Sequence, residues 1–165
     1  MGTVRDYKFL LFVTSAMVIG GIVFVWIWQR TKTDQPRVAL ESMKYCKNKK
    51  IYTNLAEALR EPQKVCILSL SFQGLAALPP EIGTLTNVID LFLGANKLSA
   101  FPQEIKKLSK LRYIHVGANQ FTGVPPVVWK FTDLVELGFP ENQISEISQE
   151  IENLKKLEIL FLYSN

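Results

Sequence analysis

From Val65 onward the chain repeats itself every 23 residues, with no gap needed to keep the period. The segments VCILSL, VIDLFL, LRYIHV, LVELGF and LEILFL begin at Val65, Val88, Leu111, Leu134 and Leu157. Gln73, Asn96, Asn119, Asn142 and Asn165 form a second column, and Leu75, Leu98, Phe121 and Ile144 a third. Pro79, Pro102 and Pro125 form a fourth, in which Ser148 takes the next place. Ile82, Ile105, Val128 and Ile151, then Leu85, Leu108, Phe131 and Leu154, complete the pattern. A fixed period of this length restricts the chain to a stacked array, because one unit alone cannot bury its apolar face.

Each repeat begins with an alternation of period two, seen at Leu68/Leu70, Leu91/Leu93, Ile114/Val116, Leu137/Phe139 and Leu160/Leu162. Such spacing turns one face of a short strand inward. Ile82/Leu85 and their equivalents then close the other side of the core. Each Asn is expected to turn inward and satisfy loop backbone groups that would otherwise be buried unpaired. Gln73 starts this ladder with a longer amide, and Ser148 is expected to loosen the fourth turn by removing a fixed φ.

These columns resemble the leucine-rich repeat family, pattern L-x-x-L-x-L-x-x-N-x-L. They are most similar to its bacterial 23-residue type, with L-P-x-x-I-x-x-L in the second half. The resemblance covers residues 65–165 and implies an α/β solenoid with parallel strands on a concave face. Four full repeats and a partial fifth are present. Upstream, Tyr52–Leu59 reads as a short helix with Asn54 as N-cap, Glu57 three places later and Pro62 as the stop. It is similar to the Tyr-x-x-Leu-x-x-Ala-Leu stretch that precedes the first repeat in this bacterial group, so residues 51–64 are assigned as the N-terminal cap helix. The sequence stops at Asn165, inside the fifth repeat. The expected consequence is an open strand edge that pairs with something, self-association included, or a shortened product.

Residues 9–28 read FLLFVTSAMVIGGIVFVWIW, without a charge. That length crosses a hydrocarbon core of about 30 Å as a helix. Trp26 and Trp28 sit at one end, where amphipathic rings prefer the interface. A cleaved export signal has a shorter apolar run ending in small residues. The run here ends in Val25-Trp26-Ile27-Trp28, which favours an uncleaved single-pass transmembrane helix between a tail (residues 1–8) and a basic linker (residues 29–50). Arg5 and Lys8 precede it, and Arg30, Lys32, Arg37, Lys44 and Lys47 follow closely. The positive-inside rule then leans toward a cytoplasmic repeat domain. Met1–Lys8 also serves as the basic start of an export signal, so both orientations stay open.

The net charge of +4 divides unevenly: residues 1–64 carry 11 Lys/Arg and 5 Asp/Glu, residues 65–165 carry 8 and 10. The repeats are therefore slightly acidic, which argues against nucleic acid as partner. His115 is the single histidine, and no Cys, Asp or Glu stands at ligand spacing to it, so no metal is expected. No phosphate loop and no Ser-His-Asp arrangement can be built. No cofactor is implied, and the chain does not read as an enzyme.

The family resemblance makes a protein the expected ligand, taken on the concave face. Asp90, Tyr113 and Glu136 lie third in their strands; Phe92, His115 and Phe161 lie fifth. Aromatics grouped on a rigid face suit a protein-binding patch, and they also stabilise neighbouring strands by cross-strand contact. The acidic members suit a partner of basic and apolar character. Trp129, on the convex side, has three roles open to it: plugging the arc, binding, or touching a membrane. Cys46 and Cys66 could be bridged across a loop of about 20 residues, stabilising by roughly 3 kcal/mol. That requires an oxidising compartment; in the cytoplasm both are free thiols.

Overall fold

The computed structural model describes residues 45–47 and 49–165. The tail, the apolar run at 9–28 and most of the basic linker lie outside them. Among the described residues no helix is long and apolar enough to cross a membrane.

Six short strands form one parallel sheet in chain order: β1 (Ile51–Tyr52), β2 (Ile67–Ser69), β3 (Asp90–Phe92), β4 (Tyr113–His115), β5 (Glu136–Gly138) and β6 (Ile159–Phe161). From β2 on, the register equals the sequence period, so Leu68 faces Leu91, Leu91 faces Ile114, Ile114 faces Leu137 and Leu137 faces Leu160. Identical positions therefore stack, and an apolar column in sequence becomes an apolar wall in space. Leu68, Leu91, Ile114 and Leu137 are fully buried, as are Leu70, Leu93, Val116 and Phe139.

Opposite the sheet run single 3₁₀ turns at Pro80–Thr84, Gln103–Lys107, Pro126–Lys130 and Gln149–Asn153. Pro79, Pro102 and Pro125 stand just before the first three, with φ near −74°, −67° and −56°. The pyrrolidine ring pre-sets that angle, so each arc enters its turn at little entropic cost. Ser148 keeps the same turn at φ −62°, and its hydroxyl accepts the Glu150 amide. A side-chain cap thus stands where the other turns have the ring, and Ile151 of this turn is only half-buried. Ile82, Ile105 and Val128 project inward from these turns and are fully buried. Between the layers, Phe121 meets Phe139 edge-on at 5.2 Å and Phe101 at the same separation. Trp129 is 3% exposed and packed in this core, which makes it a plug.

The asparagine column stitches neighbouring repeats together. The Asn119 Nδ2 donates to the carbonyls of Leu93, Val116 and Gly117, while its Oδ1 accepts the Leu98 amide. Asn96 and Asn142 repeat the arrangement, and Asn165 joins Phe139 and Ile144 in the same way. The Gln73 amide reaches outward instead, donating to the Thr53 carbonyl of the cap at 2.7 Å.

The cap is more than a helix. Ile51–Tyr52 adds a parallel strand to β2, and only then does one helical turn, α1 (Leu55–Ala58), follow. The Asn54 side chain caps α1 by accepting the Glu57 amide. Pro62–Lys64 forms a 3₁₀ turn that leads into the first repeat. Two residues of strand are too few to carry a periodic signal, and for that reason the sequence showed only the helix. Just upstream, Cys46 is joined to Cys66 by a disulfide, with Cα atoms 5.8 Å apart.

Candidate functional site

On the concave face, strand alternation aims the third and fifth residues of each repeat away from the core. The register places Ile67, Asp90, Tyr113, Glu136 and Ile159 in one row, and Ser69, Phe92, His115, Gly138 and Phe161 in the next. Asp90, Tyr113, Glu136, Phe92, His115 and Phe161 are thus brought onto adjacent strands.

The two rows differ in exposure. Asp90 is 2% exposed, Tyr113 1% and Glu136 5%, so the middle of the first row is closed. The sequence placed these three on an open surface. Alternation gives the direction of a side chain but not what stands beside it. The Phe92–His115 pair stands in the neighbouring row, and Arg112 lies one residue before β4. The Arg112 guanidinium carries the Tyr45 ring 4.1 Å away, a contact the repeat pattern could not foretell. The second row stays accessible: Phe92 and His115 are half-buried, and Phe161 is exposed. The Phe92 and His115 rings stack with centroids 4.7 Å apart and 4° between planes. Tyr163 adds a further exposed ring, edge-on to Phe161 at 6.4 Å.

Burial controls the charges here. Desolvation pushes the Glu136 carboxyl up to about 7, and the nearby Asp90 carboxylate adds to the effect. Desolvation also lowers the His115 imidazole to about 4. The two groups lie 3.4 Å apart, Nδ1 to Oε1. An imidazole held at that value is uncharged at neutral pH, so the contact is a polar one and not an ion pair. Burial thus makes the centre of the face less charged than the sequence count suggests.

Just beyond the strands lies a feature the sequence did not reveal. Phe72, Ala95, Ala118, Glu141 and Ser164 all take positive φ, between 53° and 62°. None is glycine, the residue that ordinarily marks such a position. The period repeats the conformation because each residue stands immediately before the amide column. Phe72 presents its side chain 72% exposed from this bend. Among the described residues, no group of three or more His, Cys, Asp or Glu side chains could hold a metal ion.

No protein-family model and no curated protein sequence matches the chain. Solved structures do. A leucine-rich repeat protein of Leptospira interrogans is 32% identical, with a TM-score of 0.52 over 70% of this chain and 35% of its own. Internalin C2 of Listeria monocytogenes is 23% identical, with a TM-score of 0.57 over 67% of this chain and 46% of its own, a likeness of fold. This chain therefore spans less than half the length of either. Sheet topology, repeat register and these likenesses agree that the described part of the chain is a leucine-rich repeat solenoid.

Proposed function

We propose that the chain is a membrane-anchored leucine-rich repeat module that binds a protein partner through its concave face. The observation that carries this reading is the accessible row of Phe92, His115 and Phe161, held on three strands of one rigid sheet. Strand spacing of about 5 Å gives such a row the footprint of an interface centre. The stacked Phe92–His115 pair needs little ordering on binding, which keeps the entropic cost of association low. Asp90, Tyr113 and Glu136 flank this row on the same face as its support, with Glu141 as an acidic group at the rim. The anchor reading rests on the uncharged run at residues 9–28.

Binding is tested by comparing proteins captured from native membranes by the full chain and by a Phe92→Ala/Phe161→Ala variant. A partner retained by the first and lost by the second supports the reading. Equal retention of every captured protein counts against the concave face. Sequencing of the mature N-terminus tests the anchor: a start beyond residue 28 would show an export signal instead.

A further inference from the structure

The first repeat is covered by very little. Two residues of strand pair with β2 and one turn of helix follows them, far less than a repeat of the stack supplies. The chain upstream of them is fastened to the sheet at two points in one column. Cys46 meets Cys66, the second residue of the first repeat. Tyr45 lays its ring against Arg112, the second residue of the third. Cys46 is 3% exposed and Cys66 5%, so the joint is packed and shielded from solvent thiols. The Cα separation of 5.8 Å is the one a bridge needs without backbone movement.

We infer that Cys46–Cys66 is an oxidation-dependent clasp that completes the N-terminal cap, and that the repeat domain therefore resides on the oxidising, non-cytoplasmic side of its membrane. The chemistry balances with a disulfide-bearing oxidoreductase as oxidant. One cysteine thiolate attacks the oxidant's disulfide to give a mixed disulfide. The second thiolate displaces it, forming the Cys46–Cys66 bond. Two protons leave the chain's thiols, and the oxidant departs as a dithiol. Disulfides of this shielded kind persist in secreted and surface domains and are rare where glutathione keeps thiols reduced. The clasp draws residues 45–47 out of the basic linker and into the folded domain. The Lys50 ammonium, in ion pair with Glu57 at 2.5 Å, belongs to the cap as well. The membrane in this inference rests on the anchor reading, whereas the clasp is independent of the partner reading: the concave face can bind with the cysteines in either state.

The test uses the full chain in its native membrane. Free thiols are blocked with maleimide, the sample is denatured and reduced, and newly released thiols are tagged with a maleimide-polyethylene glycol of known mass. The clasp predicts two added tags after reduction and none without it. Two thiols blocked at the first step would overturn it and place the domain in a reducing compartment. A second readout is stability: Cys46→Ser should lower the melting temperature by roughly 10 °C. An unchanged melting temperature would show that the bridge does not hold the cap. Should the variant fail to fold, the tagging of the unmutated chain still decides.

Discussion

Glu136 shows how a residue chosen for one reason ends in another role. As a charged side chain on a strand face it reads as part of an open acidic patch, yet it lies 5% exposed with its carboxyl pushed up to about 7. Its folded value exceeds the unfolded one, so the folded state holds the proton more tightly. Stability therefore falls as pH rises from about 4.5 to 7, and the full cost is present above that window. His115 acts in the opposite sense: its value is lowered to about 4, so stability falls as pH drops below 6.5. Replacing Glu136 by Gln should stabilise the chain by roughly 1–3 kcal/mol at pH 8 and by little at pH 4.5. Urea unfolding at the two pH values measures this, and an equal effect at both would contradict the burial argument. Ala118 carries a second prediction. Its φ of 53° costs an L-residue about 1 kcal/mol, so Ala118→Gly should gain roughly 0.5–1 kcal/mol. Thermal unfolding reads the sign directly, and a loss would show that the bend is not strained.

At the scale of elements, the repeat strands and the proline column that leads into the turns were legible. Period two at Leu68/Leu70 and its equivalents specifies inward faces, and the fixed spacing specifies parallel register, because identical residues must stack. The first strand, Ile51–Tyr52, was hidden because two residues carry no period. The closing of the row at Asp90, Tyr113 and Glu136 was hidden for a different reason. It depends on neighbours supplied by the adjoining strands, 23 residues away in sequence. The 3₁₀ turns pack on one another closely enough to dictate a glycine. A Cβ on Gly83 would lie 2.7 Å from the Glu104 carbonyl oxygen and 2.8 Å from its Cβ. The obstacle is partly backbone and cannot swing aside, so Gly83→Ala should cost about 1–3 kcal/mol. The midpoint of urea unfolding tests it. In the same column the third repeat carries Trp129 and turns it into the core, so this column is set by the space between particular turns and not by the repeat consensus.

For the whole molecule, a stack of this kind is stiff along its sheet, because each strand is bonded to the next and each asparagine joins two repeats. Stiffness suits a surface that binds without rearranging. In the proposed reading the accessible row from Phe92 to Phe161 puts that stiffness to use, whereas the 3₁₀ side offers charged residues such as Lys106. The account is tested most directly by a photo-crosslinking amino acid placed in the full chain, in its native membrane, at Phe92 or Phe161 and separately at Lys106. Concave-face binding predicts discrete adducts of one mass from Phe92 and Phe161 and none from Lys106. The same adduct from Lys106, with none from the concave positions, would contradict it.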